Sequence, residues 1–161
     1  MRAHFKMLPL THFLAGLSLG VFGYSQGLFG EEYVILTAVV STLIDLDHLV
    51  TYFSSGRGGL KAHWNRLVLD RLRHKRTFIH HAQGFFVVCF LIAILHSVNK
   101  PLFYCLGFAY VSHMLLDHVH VRHTPHIRSY HLDAAGLILP YTLLELSLDV
   151  VFLVYLVWWV V

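Results

Sequence analysis

The sequence predicts an all-α, polytopic membrane helix bundle of about five transmembrane helices. Three observations predict it. Apolar residues make up 57% of the chain and charged residues only 13%, against about 25% charged in soluble domains. The mean hydropathy is +0.62. The apolar residues also gather in five runs, each close to the roughly 20 residues a helix needs to cross a hydrocarbon core. With 161 residues, the chain reads as a single transmembrane domain, 1–161.

The five runs are 8–29, 33–50, 82–98, 101–118 and 138–161. The first follows a basic start, MRAHFK, and continues past Gly20 without a small-x-small cleavage site, so it is expected to stay as a helix. Asn99-Lys100-Pro101 is a turn signal after the third. Gly136 and Pro140 introduce the fifth, proline being tolerated near a helix start. Cys89 and Cys105 fall in separate apolar runs and form no CxxC, so both read as small buried hydrophobes.

Two longer connections remain, 51–80 and 119–137. Of the twelve basic residues, eleven lie before the first run or in these connections, and only Lys100 lies on the other side, with Glu31 and Glu32. The positive-inside rule then puts the N-terminus and both connections in the cytoplasm. A multi-pass protein of the inner (plasma) membrane is expected. Within the basic connection, residues 60–76 form an amphipathic pattern. Leu60, Trp64, Leu67, Val68 and Leu72 can share one side, with Lys and Arg opposite. Such a helix lies on an anionic leaflet, so the basic charge is assigned to membrane lipids and not to nucleic acid.

The stretch STLIDLDHLV, 41–50, ends an apolar run with two aspartates and a histidine. Burying an unpaired carboxylate costs several kcal/mol or more, so these residues need partners. The topology supplies them at one depth. His12 starts helix 1; Asp45, Asp47 and His48 end helix 2; His80 and His81 start helix 3. His113, Asp117, His118 and His120 end helix 4, while Glu145 and Asp149 open helix 5. His96 alone sits at the opposite end. Ionisable residues inside a membrane are functional candidates by default.

Helical spacing narrows the set. Asp45 and His48 are i, i+3, whereas Asp47 points elsewhere. His113, Asp117 and His120 form one stripe, with His118 outside it. Imidazoles and carboxylates from different helices are the ligand set of zinc and other first-row divalent metals, manganese among them. A cation keeps the buried carboxylates ionised. A metal-bound water has a pKa lowered toward ~7 and becomes a nucleophile. An unligated carboxylate such as Asp47 can act as general base, and Arg76 can hold a phosphate. Whether Glu145, Asp149, His81, His120 or the histidines of 119–137 join the site stays open.

Four motifs in order resemble a known family: Thr11-His12 with Gly16, LIDLDH at 43–48, RTFIHH at 76–81 and SHMLLDH at 112–118. Together they are similar to the YdjM-like family, small inner-membrane proteins described as LexA-regulated and proposed as metal-dependent hydrolases. Position by position, the resemblance implies His12, Asp45, Asp47, His48, His80, His113 and Asp117 as site residues, with Arg76 and Thr77 in the third element. The chain departs from the family pattern at Ile44, where a proline is usual, and at Ile79 and His81, which flank the central His. Metal ligands are thus expected at His12, Asp45, His48, His80, His113 and Asp117, and catalytic roles at Asp47 and Arg76.

The expected function is hydrolysis of an ester or phosphoester, lipid-linked, at the cytoplasmic face. Two other classes compete. A metal-independent PAP2-type phosphatase also uses His-x-x-x-Asp, but no PSGH stretch is present and Gly107 stands where an arginine is needed. A non-enzymatic membrane subunit would instead use the histidines to bind haem or a metal ion. A homo-oligomer or a larger membrane complex is compatible with either.

Overall fold

The computed structural model describes residues 7–45, 78–123, 130–134 and 137–161. It is mainly helical. Helix α1 spans Pro9–Ser25, α2 Glu32–Leu43, α3 Ala82–Val98, α4 Lys100–His123 and α5 Leu143–Val160. A 3₁₀ turn, Phe78–His80, precedes α3, and strands β1 (Tyr130–Ala134) and β2 (Leu137–Tyr141) pair antiparallel between α4 and α5. The expected interfacial helix at 60–76 lies outside the described residues.

Local chemistry sets most boundaries. Pro9 occupies the first helical position of α1 behind an extended Leu8, where its missing N–H costs nothing. The helix closes with a Schellman ending. Leu28 N–H donates to the Gly23 carbonyl at 3.0 Å and Gly27 N–H to Tyr24 at 2.9 Å, with Gly27 at φ 66°. Asn99 Oδ1 accepts from Leu102 N–H at 3.0 Å at the start of α4.

Three boundaries differ from expectation. The last described residues of the second run, Ile44 and Asp45, form a turn beyond Leu43. Helix α4 extends to His123, and a hairpin stands where a loop was expected up to 137. Pro140 belongs to β2, opposite His131, so α5 starts later, at a capping box built by Thr142 and Glu145.

Helix α1 packs against α2, α4 and α5; α2 packs against α4; and α3 packs against α4. The α1–α2 contact is very close. A Cβ on Gly16 would stand 2.8 Å from the Ala38 Cα and 2.8 Å from the Ser41 Cβ, and one on Gly20 would stand 2.7 Å from the Val34 carbonyl oxygen. Gly16 and Gly20 are a small-xxx-small pair, the spacing that lets membrane helices touch backbone to backbone. Gly16→Leu is expected to lower stability by about 1–3 kcal/mol through overpacking. A thermal melt in detergent checks this, and an unchanged Tm would show that α1 and α2 separate at no cost.

Among the described residues, polar side chains share the interior with apolar ones such as Met7 and Ala38, while many large apolar side chains are exposed. Buried polar groups include Thr11, His12, Thr37, Ser41, His113 and Glu145, while Phe86, Phe90, Val154, Val157 and Trp158 are exposed. A partly polar interior beneath an apolar exterior is what lipid solvation favours. Two helices, Lys100–Val119 within α4 and Leu143–Val160, are long and apolar enough to cross a membrane. Helices α2 and α3 are apolar but shorter, so five spans are not established by length.

Candidate metal centre

Chain alternation brings five segment ends to one end of the bundle. Helices α1, α3 and α5 begin there, while α2 ends and α4 approaches its end there. Asp45 sits just past α2, one turn beyond Ser41. His113 and Asp117 are one turn apart on α4. His80 closes the 3₁₀ turn, which Tyr110 pins by donating from its hydroxyl to the Ile79 carbonyl at 2.9 Å. The Phe78 carbonyl rests against Gly84, at a point where any Cβ would collide. That glycine lets the turn fold back onto α3 and aims His80 inward.

One ligand atom from each of Asp45, His80, His113 and Asp117 lies within 4.8 Å of the others. His80 Nε2 is 3.2 Å from His113 Nε2. Asp45 Oδ1 is 3.7 Å from His80 Nε2 and 3.6 Å from His113 Nε2, and Asp117 Oδ2 is 3.8 Å from His80 Nε2. The three nitrogen–oxygen spacings exceed ordinary hydrogen-bond length. They suit atoms surrounding a common ion, because ligand bonds of about 2.0–2.2 Å in a tetrahedron place neighbouring ligands roughly 3.3–3.6 Å apart.

The His113 tautomer fits the same task. Its Nδ1 lies 2.8 Å from the Ser41 carbonyl oxygen. A carbonyl only accepts, so Nδ1 carries the proton and Nε2 turns a lone pair toward the cluster. The residues therefore fit a divalent metal in donor type, spacing and burial. Asp45 and Asp117 are the accessible edge, with side-chain exposures of 16% and 12%. His12 and His113 are fully buried.

Of the predicted ligands, Asp45, His80, His113 and Asp117 come together. His12 stands beside them, its Nε2 3.4 Å from Asp117 Oδ1. His48, Asp47 and Arg76 lie outside the described residues. His81 is exposed, as is His118. His96 is exposed at the far end, edge-on to Phe103. Sequence reasoning missed three contributors: the Ser41 carbonyl, Gly84 and the Tyr110 hydroxyl. A backbone acceptor has no side-chain signature, although Ser41 does lie one helical turn before Asp45.

Glu145 has a different task. Its Oε1 accepts from Leu8 N–H at 2.7 Å, and its Oε2 accepts from Thr142 N–H at 2.8 Å and from the Thr142 hydroxyl at 2.9 Å. One buried carboxylate thus holds the entries of both α1 and α5. Asp149, one turn deeper, is also buried and has Thr11 and His12 as polar neighbours.

These features define a class: an apolar helical protein with two helices able to cross a membrane and a buried imidazole–carboxylate cluster fitted to a metal ion. Residues 7–128 match the YdjM inner membrane protein family, and the chain belongs to that family. No curated protein and no solved structure matches it.

Proposed function

We propose that the protein is a metal-dependent hydrolase of the inner membrane, acting on a lipid-linked ester or phosphoester at the cytoplasmic face. The convergence of Asp45, His80, His113 and Asp117 within 4.8 Å carries this reading. Zinc suits the two imidazoles and two carboxylates best, with manganese as the runner-up. Such an ion, when bound, supplies Lewis acidity and lowers the pKa of a coordinated water toward ~7.

The protein's own residues do the rest. His113 is held in one tautomer by Ser41, and His80 is aimed by the Tyr110-anchored turn. The partly exposed carboxylates face the side from which a substrate and water can arrive. The apolar outer surface lets lipid approach laterally. The clustering of basic residues in the N-terminal segment and the two long connections supports the cytoplasmic face under the positive-inside rule, and Asp47 as base and Arg76 as phosphate holder belong to the same reading. The haem alternative is less well served, because the His12 and His113 rings stack at 3.9 Å and 25° instead of facing each other across a plane.

The test is hydrolysis of fluorescent phospholipid in vesicles containing the purified protein. Turnover is expected to fall at least ~100-fold on chelation and to return with added Zn²⁺ or Mn²⁺. Equal turnover by metal-free, folded protein would refute the reading.

A further inference from the structure

The two carboxylates of the cluster face two ways. Asp45 Oδ1 points at His80 and His113, while Asp45 Oδ2 lies 3.9 Å from His12 Nε2. Asp117 divides likewise, with Oδ2 at 3.8 Å from His80 and Oδ1 at 3.4 Å from His12. Each carboxylate therefore offers one oxygen to the His80–His113 side and the other to the His12 side. His12 is fully buried, and neither of its ring nitrogens makes a hydrogen bond among the described residues. An imidazole in that position leaves its hydrogen-bonding capacity unused, which is costly in a buried site. It is, however, well placed to ligate.

We propose that the centre holds two divalent metal ions, bridged by Asp45 and Asp117, with His80 and His113 ligating the first and His12 the second. This rests on the metal-centre reading above and extends it. The His12 and His113 rings stack side by side, and their Nε2 atoms lie 3.9 Å and 3.6 Å from different oxygens of Asp45, so each imidazole can serve its own ion at a shared carboxylate. Paired ions of this kind clamp the attacking and leaving oxygens of an in-line displacement. A phosphoester is therefore the substrate class the centre suits best.

Metal stoichiometry on purified full-length protein, equilibrated with Zn²⁺ and then desalted, tests the proposal. Wild type is expected to retain about two ions per chain and His12→Ala about one, as two-metal chemistry requires. About one ion in wild type, or loss of all metal from folded His12→Ala, would overturn the bridged pair while leaving a single-ion centre standing. Metal-free wild type would overturn both readings. Should His12→Ala fail to fold, electron paramagnetic resonance of Mn²⁺-loaded wild type decides instead. An exchange-coupled spectrum supports the pair, and an isolated six-line signal rules it out.

Discussion

His113→Ala is expected to lose metal outright, with affinity falling by more than ~100-fold. Substitution of groups that merely orient a ligand typically costs 10–100-fold, and His113 is placed as a ligand. Its Nε2 meets His80 and Asp45 within 3.2–3.6 Å, and its Nδ1–H is committed to Ser41. Alanine leaves nothing in that volume to take either role. Two controls separate chemistry from collapse. His118→Ala, on the same helix but exposed, is expected to retain full metal content. Asp117→Asn keeps the shape of the side chain while removing its charge, and is expected to weaken binding in the same direction. Elemental analysis and chelator competition read all three. Unchanged metal content in His113→Ala would remove the centre as described.

Glu145→Ala is expected to give the largest loss of stability, about 3–5 kcal/mol. The substitution strips acceptors from two buried backbone N–H groups and a hydroxyl. Each buried donor left unsatisfied costs about 1–3 kcal/mol, and in lipid no water replaces the lost partner. Glu145→Gln keeps one acceptor oxygen and is expected to lose less. Thermal denaturation in detergent, with and without Zn²⁺, checks this. If Glu145→Ala melts like wild type yet binds no metal, the carboxylate belongs to the centre and not to the helix entries.

Much of this site was legible because helical arithmetic is local. His113 and Asp117 share a face whatever surrounds them, and Asp45 needed only the up-and-down alternation of helices to meet them. His80 was singled out with His81, and the choice between them fell to a 3₁₀ turn that no periodicity announces. The tight α1–α2 contact was written in the sequence as GLSLG, 16–20, though an apolar run hides such a pair among equally apolar neighbours. The hairpin around Pro140 was not legible, because its residues, LILPY, read equally well as the first turn of an apolar helix. Nor was the bond from the Leu8 N–H to Glu145, which joins distant segments, although the Thr142–Glu145 capping box is local.

That distance has a consequence for assembly. Leu8 and Glu145 are 137 positions apart, and ribosomes add about 5–20 residues per second. For roughly 7–30 seconds, then, the first helix exists without the carboxylate that seats its entry. His12, one turn into that helix, waits with it. Asp117 precedes Glu145 in the chain, so all four cluster residues are present before α1 gains the carboxylate that seats its entry.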